Sequence, residues 1–422
     1  MRKWSGKVIT ALLGLALMVA LPFGAKAEDV FKIGALYPLS GPMALLGNHD
    51  MNGVELATDI FNERGGVKGK KVKLIKADGP TTDAARSEAE RLVNVEKLNV
   101  IFGTYSSSLS FVASAVAEKH NKIYWETGAI ADNITQRNFK YLFRTSTNSS
   151  AFGFAAADFI MTKLAKDLKI NIKGLKVAIA HEDSLYGTSV MAAAGKRLKQ
   201  NGVNVVAQES YSKTITDLAP IVMKFKMLKP DIILTTCYTN DAVLWSRQMR
   251  EMNLDVKAFV GTGGGHGVLD FAKALGKDSD GVFSADFPLV KDPKSLNPKI
   301  DPPLNTVRER YKKKYGDYPD LHAMSAFTGA WVFYTQVLAK TASLNPDTIK
   351  KAAYKIDIPV GGTHMGWGVK FNEKSAEPGQ NERAFSVMMQ WQGGLNYCVW
   401  PDKYAERKAI MIPLPEWKDR ES

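Results

Sequence analysis

Three consecutive serines at 106–108 are the strongest candidate for a binding site in this chain. They follow a short apolar run at 100–103 that is typical of a buried strand, and they precede a helical pattern at 110–119. Hydroxyls and unpaired backbone N–H groups at the start of a helix attract anions such as a carboxylate. One serine that acts only as an N-cap would give the same pattern, so the surrounding loops decide between the two interpretations.

Motifs of the common enzyme classes are absent from the sequence. There is no G-x-S-x-G, H-E-x-x-H, C-x-x-C or G-x-x-x-x-G-K-[ST] motif. The histidines never pair with another ligand type at helical spacing, so we expect no metal site, no cofactor and no catalytic residues. For a secreted α/β enzyme, the nucleophile and base that we consider are Ser107 with His181 or His266.

The glycine-rich stretch 261–267, with the sequence G-T-G-G-G-H-G, follows a predicted strand and precedes a helix. The dinucleotide fingerprint G-x-G-x-x-G fails here because His266 stands in place of the third glycine. We interpret the stretch as a flexible turn at the carboxyl end of a strand, where backbone approaches a ligand closely.

The charge of the chain is basic, with 56 Lys and Arg against 43 Asp and Glu and a formal net charge of +13. The basic residues are spread along the chain without a nucleic-acid motif, so we interpret them as solvated surface and expect no nucleic-acid partner. Two cysteines, Cys237 and Cys398, allow either one disulfide or two buried thiols.

The N-terminus predicts a secretory signal peptide at 1–27. Arg2, Lys3 and Lys7 precede an apolar run at 8–21, and a small-x-small cleavage site follows at 25–27. The apolar run is shorter than the roughly 20 residues that a membrane span needs. We therefore expect a mature chain that begins at Glu28 and works outside the cytoplasm.

The rest of the chain alternates short apolar strands with amphipathic helices, which is typical of parallel sheet built from βαβ units. Strands are predicted at 31–36, 71–77, 100–103, 122–126 and 141–145, and again at 175–180, 203–208, 231–236, 257–261 and 281–285. The sequence therefore predicts two α/β lobes with doubly wound parallel sheets. Further helices are expected at 305–315 and 324–341, a last strand at 384–391, and an irregular tail after Asn396.

Ligands of open α/β sheets bind beyond the carboxyl ends of the strands. The loops there are 38–47, 105–108 and 127–132 in the first lobe, and 182–186, 237–239 and 262–267 in the second. We expect all six loops to line one cleft between the lobes.

Several segments occur together in a characteristic order: L-Y-P-L-S-G-P at 36–42, G-V-E-L-A at 53–57, N-E-R-G-G-V-K-G at 62–69, F-R-T at 143–145 and Y-G at 186–187 and 315–316. In this combination the chain resembles the leucine/isoleucine/valine-binding type of periplasmic solute-binding protein. The resemblance implies the type I periplasmic binding protein fold, with two lobes joined by a three-strand hinge near 146–148, 284–287 and 381–384. It implies a first lobe at 28–147 to which 287–382 returns, and a second at 148–286 to which 383–422 returns.

The resemblance also implies a function. The protein would be a periplasmic receptor that closes on a small organic ligand and delivers it to an ABC permease, and we expect a monomer. A sensor that presents its ligand to a signalling receptor would share the fold and the signal peptide.

The binding positions of the family can be transferred to this chain residue by residue. Ser106 and Ser107 match the positions that hold a ligand carboxylate, and Gly128 matches the one whose carbonyl meets the ligand amine. The remaining candidates are Leu46, at a position where a side chain of the family often packs on the ligand, Tyr186 and Tyr238 at aromatic positions, and Tyr105, Ala129, Ile130, Gly263 and Asp286 near the cleft.

Two of these positions depart from the amino-acid binders of the family. Ile130 stands near the place of a threonine, and Gly263 takes the place of a glutamate. An ammonium in a closed cleft needs an anionic partner, which Glu126 or Asp286 could supply. From the resemblance we expect the ligand to be a branched-chain amino acid or a related small carboxylate. The alternative is an amine-free, aromatic carboxylate or an amide. It would be held among the aromatic residues Tyr105, Trp125, Tyr186 and Tyr238.

Overall fold

The computed structural model describes Met1 and residues 30–290 and 296–420. The predicted signal peptide, apart from Met1, lies outside the described residues. The described chain is organised around two large sheets and one small one, and the expected α/β fold class is confirmed.

The first sheet has five parallel strands in the order β2-β1-β3-β4-β5. Their bounds are β1 Phe31–Tyr37, β2 Val72–Asp78, β3 Val100–Gly103, β4 Ile123–Glu126 and β5 Leu142–Arg144. All residues of the three strands β3, β4 and β5 are buried, because helices cover both faces of a parallel sheet.

The second sheet has seven strands in the order β14-β13-β10-β9-β8-β6-β7. Their bounds are β6 Lys176–Glu182, β7 Asn204–Tyr211, β8 Ile232–Thr236, β9 Ala258–Thr262, β10 Phe283–Asp286, β13 Val387–Gln392 and β14 Leu395–Trp400. The strands β6 to β10 are parallel, whereas β13 runs antiparallel to both of its neighbours. A small antiparallel pair joins β11 Asp357–Ile358 to β12 Val369–Lys370.

The helices connect these strands. They are α1 Ala44–Glu63, α2 Thr82–Asn94, α3 Ser107–Lys119, α4 Ser149–Phe159, α5 Ala165–Asp167, α6 Leu185–Gln200, α7 Ala219–Leu228, α8 Thr239–Glu251, α9 Gly263–His266, α10 Leu269–Leu275, α11 Leu304–Tyr315, α12 Leu321–Val332, α13 Ala339–Thr341 and α14 Pro346–Ala353. A π-helical turn joins α4 to α5, and another joins α12 to α13.

Helix α12 packs tightly on α1, which brings the segment after residue 286 back to the first sheet. The contact depends on Gly53, because a Cβ there would lie 2.1 Å from the Ala323 carbonyl oxygen. The Thr58 hydroxyl also hydrogen-bonds the Tyr334 hydroxyl at 2.8 Å. In the second lobe, α4 packs on α6 and on the strands β10 and β13.

The chain passes between the two sheets three times. The first and third passages are joined by side-chain hydrogen bonds. Gln380 Nε2 donates to the Ser146 carbonyl at 2.9 Å, and Asn381 Nδ2 donates to the Thr145 carbonyl at 2.7 Å. The buried Arg144 donates to Gln380 Oε1 at 2.6 Å, so the passages are held together at the edge of the first sheet.

Three local expectations were wrong. The tail after Asn396 is not irregular throughout, because β14 forms a hairpin with β13 around Gly393 and Gly394, both at positive φ. The second sheet is not wholly parallel, since this hairpin completes it in the antiparallel sense. The stretch 261–267 is not a flexible turn, since its middle forms the buried one-turn helix α9.

Candidate ligand-binding site

The strand orders place a crevice at the same position in both lobes. In the first sheet the strand order reverses between β1 and β3, and in the second it reverses between β6 and β8, although these strands are parallel. Loops diverge at such switch points and leave room for a ligand at the carboxyl ends of the strands. The described chain has a cavity between these loops, and it measures about 20 Å³. The lining residues are Tyr105, Ser107, Gly128, Ile130, Phe152, Tyr186, Tyr238, Gly264, Phe287 and His322.

Three tyrosine rings close the cavity from both lobes. The ring centroids of Tyr105 and Tyr238 lie 6.0 Å apart, and those of Tyr186 and Tyr238 lie 5.4 Å apart. Tyr105 belongs to the first lobe and the other two belong to the second. The Tyr186 hydroxyl donates to Thr262 Oγ1 at 2.7 Å and accepts from Gly264 N at 3.2 Å, which fixes this ring. Burial raises the pKa of each tyrosine, so the hydroxyls remain protonated at neutral pH.

The serines begin α3 at the edge of the cavity. Ser106 is the N-cap residue, but its hydroxyl makes no capping hydrogen bond. Ser106 Oγ is buried and makes no hydrogen bond of good geometry within the described chain, although the Tyr238 hydroxyl lies close to it. Ser107 Oγ accepts from Ala131 N at 3.1 Å and so fixes the neighbouring loop. Simple capping therefore does not account for Ser106, and its hydroxyl keeps its hydrogen-bonding capacity.

Glu126 organises the first-lobe loops and is not available as an amine partner. Its carboxylate accepts backbone N–H groups from Thr104, Thr127, Gly128 and Ala129 at 2.8–2.9 Å, and the Ser110 hydroxyl as well. Burial raises the pKa of Glu126 to about 7, although these hydrogen bonds act to lower it. With five donors directed at it, this side chain holds the loop after β4 against the loop after β3.

Glu182 has the same role at the end of β6. It accepts hydrogen bonds from Ser184 N, the Ser184 hydroxyl and Gly187 N at 2.6–2.8 Å. The loop that begins α6 is fixed in this way, and Tyr186 with it. Each lobe thus uses a buried carboxylate to shape its cleft loop.

Asp286 lies beside the cavity but behind glycine backbone. A Cβ at Gly263 would lie 2.2 Å from Asp286 Oδ1, and a Cβ at Gly267 would lie 1.9 Å from Oδ2. Asp286 Oδ1 accepts from Phe287 N at 2.7 Å, while Oδ2 has no hydrogen-bond partner among the described residues. Burial raises the pKa of Asp286, which favours the neutral acid. The carboxyl group therefore fills the space that a side chain at 263 would need.

The structure brings many of the eleven candidate residues to the cavity. Six of them line it: Tyr105, Ser107, Gly128, Ile130, Tyr186 and Tyr238. The other five are not among its lining residues: Leu46, Ser106, Ala129, Gly263 and Asp286. Of these, Leu46 packs in one apolar core with Tyr105, and Ala129 packs in the core behind the first sheet. Trp125 is core as well, with its Nε1 donating to the Gly329 carbonyl at 3.0 Å.

Four lining residues were missed by the sequence analysis: Phe152, Gly264, Phe287 and His322. Gly264 belongs to a loop that was predicted to line the cleft. Phe152 lies on the buried face of α4, and Phe287 follows β10. The sequence pattern therefore predicts an ordinary core position for each of them. His322 begins a helix that returns to the first lobe from far along the chain, and no local signal places it at the cleft.

The arrangement does not support an enzyme mechanism through the residues considered above. In the described chain, His181 Nδ1 contacts the Glu182 carbonyl at 2.9 Å, and His266 contacts Thr235 Oγ1 at 3.3 Å, so neither histidine pairs with Ser107. His266 Nδ1 also lies 4.0 Å from Cys237 Sγ. Burial raises the pKa of this thiol and lowers that of His266 to about 3, so both groups are neutral. An activated thiolate needs the opposite shifts.

Among the described residues, no helix is long and apolar enough to cross a bilayer, and no group of three or more His, Cys, Asp and Glu could hold a metal ion. Cys237 and Cys398 are both buried and are not joined in a disulfide.

Comparison with known proteins shows the family to which the chain belongs. The profile described as periplasmic binding protein matches residues 30–394. Leu/Ile/Val-binding protein homolog 7 of Brucella suis is 36% identical over 396 residues, which cover 93% of this chain and 97% of the relative. Homolog 8 of Brucella abortus is 38% identical over 403 residues, which cover 95% and 97%. The chain belongs to the periplasmic binding protein family. It is a solute-binding protein, as the resemblance implied.

Solved structures share the fold of this periplasmic binding protein. The branched-chain amino acid transporter substrate-binding protein LivJ of Streptococcus pneumoniae, in complex with isoleucine, has a TM-score of 0.73 at 22% identity, over 87% of this chain and 97% of that one. A solute-binding protein of an ABC transporter from Rhodopseudomonas palustris, in complex with 3,4-dihydroxybenzoic acid, has a TM-score of 0.72 at 22% identity, over 92% and 99%. At these identities the likeness shows the type I fold and leaves the ligand of this chain open.

Proposed function

We propose that the protein is an extracytoplasmic receptor that closes on a small carboxylate and delivers it to an ABC permease. The observation that carries the proposal is the buried Ser106 hydroxyl at the start of α3, which makes no hydrogen bond of good geometry and lies close to the Tyr238 hydroxyl. A carboxylate there would accept from this hydroxyl and from backbone N–H groups of the helix N-terminus, where the helix dipole also favours negative charge.

The rest of the cavity favours an aromatic ligand without an amine. Five of its ten lining residues are Phe or Tyr, and none is acidic. Aromatic rings recognise a flat apolar ligand through offset and edge-to-face contacts. An ammonium would need an anionic partner, and Glu126 is already occupied by five donors. An amine-free aromatic carboxylate therefore fits the cavity better than an amino acid does.

A branched-chain amino acid is the second candidate. Both Brucella relatives carry Leu/Ile/Val-binding in their names, and Asp286 Oδ2 has no partner in the described chain. An ammonium that reached Asp286 past Gly263 would stabilise its ionised form. This candidate requires the backbone at 263–264 to move, because it separates Asp286 from the cavity.

Ligand binding also requires the lobes to part. A volume of about 20 Å³ holds about one water molecule and cannot hold benzoate or leucine. We therefore propose an opening motion about the three passages, with a first lobe at 28–147 and 287–382 and a second at 148–286 and 383–422. The packing of α12 on α1 and the place of β13 in the second sheet support these boundaries. We also propose a cleaved signal peptide at 1–27, a periplasmic location and a monomeric state.

A thermal-shift and calorimetric screen of the purified protein, stripped of bound ligand, tests the function. The probes are benzoate, leucine, isovalerate and benzamide. A ligand at 100 times its dissociation constant stabilises the folded protein by about 2.7 kcal/mol, which such a screen detects readily. A shift with benzoate and none with leucine supports the aromatic carboxylate. A shift with leucine alone would establish the second candidate, and no shift with any carboxylate would contradict the α3 site.

A further inference from the structure

His322 is a buried polar group on the cavity wall whose hydrogen-bonding capacity no described residue uses. It lies near the start of α12 and is 5% exposed. Its ring packs edge-to-face on Tyr105 at a centroid distance of 5.1 Å and on Phe287 at 6.0 Å. Neither ring nitrogen has a hydrogen-bond partner in the described chain, although the Gly263 backbone lies close to the ring. Buried polar groups in folded proteins are rarely left in this state.

The imidazole is neutral and can both donate and accept. Burial lowers the pKa of His322 to about 4, against the opposing charge of Asp320. Asp320 does not hydrogen-bond the ring, because its carboxylate accepts from His49 Nδ1 and from Ala323 N, each at 2.8 Å. A neutral imidazole carries one N–H donor and one acceptor nitrogen. The complementary ligand group therefore needs no charge and can offer a donor, an acceptor or both.

The neighbouring acids do not change this requirement. Asp286 is separated from the cavity by Gly263 and Gly267, and Asp50 lies against Gly128, where a Cβ would be 2.6 Å from its Oδ2. Burial raises the pKa of both carboxyl groups, which favours their neutral forms. The polar face that His322 gives to the cavity is thus uncharged, and it lies among aromatic rings.

We propose that the ligand is a hydroxylated aromatic carboxylate and that His322 hydrogen-bonds its hydroxyl group. The inference rests on the proposed function, which supplies the carboxylate site at α3. It adds the residue that recognises the substituent on the aromatic ring of the ligand. A hydroxyl both donates and accepts and carries no charge, so it satisfies the imidazole without an ionic partner. A ligand hydroxyl would remove the free-energy cost of leaving the His322 nitrogens without partners. An unsubstituted benzoate ring would not.

Calorimetric titration of the purified, ligand-stripped protein tests the inference. The probes are benzoate, the three monohydroxybenzoates and the three methylbenzoates. A methyl group has nearly the size of a hydroxyl group but makes no hydrogen bond, so each pair separates shape from hydrogen bonding. We expect at least one hydroxybenzoate to bind about tenfold more tightly than both benzoate and its methyl counterpart.

Two substitutions of His322 identify the residue responsible. His322→Phe keeps a ring and removes both nitrogens, so we expect the preference for the hydroxyl group to vanish, with each hydroxybenzoate and its methyl counterpart binding this variant equally tightly. His322→Asn keeps a donor and an acceptor and should retain part of the preference. It also keeps the test available if the larger Phe side chain prevents folding.

His364→Phe is the matched control. His364 is as buried as His322, packs edge-to-face on Phe327 at 5.1 Å and hydrogen-bonds the Pro302 carbonyl at 2.7 Å, but it does not line the cavity. This variant should lose stability and keep the preference for the hydroxyl group.

The outcomes distinguish the role of His322 from the aromatic ligand class on which it depends. Equal affinities for hydroxy- and methylbenzoates, or a preference that survives in His322→Phe, would overturn the role of His322 alone. Binding of leucine without any aromatic acid would overturn the aromatic ligand class and this inference with it.

Discussion

Ser106 is the single residue on which the carboxylate site depends most directly. We expect Ser106→Ala to weaken benzoate binding about ten- to hundredfold, the range for a hydrogen bond to a charged group. The unfolding free energy should change by less than about 1 kcal/mol, because this hydroxyl makes no hydrogen bond of good geometry and only approaches the Tyr238 hydroxyl. Calorimetry and thermal unfolding of the same sample measure both quantities.

Ser107→Ala is the control for that experiment and should behave differently. It removes the acceptor of the buried Ala131 N–H, so we expect a loss of about 1–3 kcal/mol of stability. Wild-type affinity in Ser106→Ala would contradict the site, whatever the result for Ser107→Ala.

His49 and Asp320 form a pair that should make stability depend on pH. Burial acts to lower the pKa of His49, but the hydrogen bond and charge of Asp320 outweigh it and the pKa is raised, with further effects from Asp270 and Lys273. A raised histidine pKa gives stability that is fully present below the unfolded value near 6.5 and is lost as the pH rises through the folded value. We expect the stability difference between wild type and His49→Asn to be about 1 kcal/mol larger at pH 6 than at pH 9.

Urea unfolding at the two pH values measures this difference. His364→Asn is the control of opposite sign, because burial lowers the pKa of His364 to about 4, so near pH 6 only the unfolded imidazole takes up a proton. Its destabilisation should therefore be smaller at pH 6 than at pH 9. An equal effect of His49→Asn at both values would show that the ion pair contributes no stability.

At the scale of elements, the contact between α1 and α12 determines where His322 lies. Alanine normally stabilises a helix relative to glycine by about 0.5–1 kcal/mol. At Gly53 we expect the reverse, a loss of about 1–3 kcal/mol, since the new methyl group would overlap the Ala323 carbonyl and push α12 away. Gly195→Ala on α6 should be neutral or stabilising, because its nearest neighbour is the end of the Gln208 side chain at 3.2 Å. Chemical denaturation of both variants measures the contrast, and a stabilised Gly53→Ala would contradict the close packing.

Most elements could be predicted from sequence for a physical reason. Parallel strands that are buried on both faces appear in the sequence as short apolar runs, whereas apolar residues of the covering helices recur at helical spacing. The ten strands of the two parallel series were located for this reason. The strand predicted at 384–391 is β13, but its hairpin partner β14 was missed, although Gly393-Gly394 between two apolar runs is a turn signal. The start of α3 at Ser107 was placed three residues late, because propensity does not show where serine backbone enters the helix.

At the scale of the whole molecule, local patterns gave only part of the site. Seven lining residues lie within the loops that were predicted at the carboxyl ends of strands, and strand order makes those loops converge. His322 reaches the cavity only because the chain crosses back to the first lobe after residue 286. That return is a contact between distant parts of the sequence, which periodicity does not encode.

The balance between open and closed lobes should depend on charges that meet only when the lobes close. Lys273 on α10 of the second lobe lies 3.8 Å from Asp317, which precedes α12 in the first lobe. Both side chains are more than half exposed, so the pair is weak and screened by salt. Lys273→Glu would place two negative charges together in the closed form only and would reduce the fraction of molecules that hold ligand.

We expect Lys273→Glu to weaken benzoate binding about two- to fivefold at low salt, with the effect shrinking at high salt. Asp317→Lys in the same chain restores an opposite pair and should restore the affinity. Lys163→Glu is the control, because its partner Asp167 lies on the same lobe and the contact does not change when the lobes move. Calorimetry at two salt concentrations measures all four proteins. If the double variant stays as weak as Lys273→Glu, the loss comes from the site and not from lobe closure, because only the charge pair is repaired by the second change.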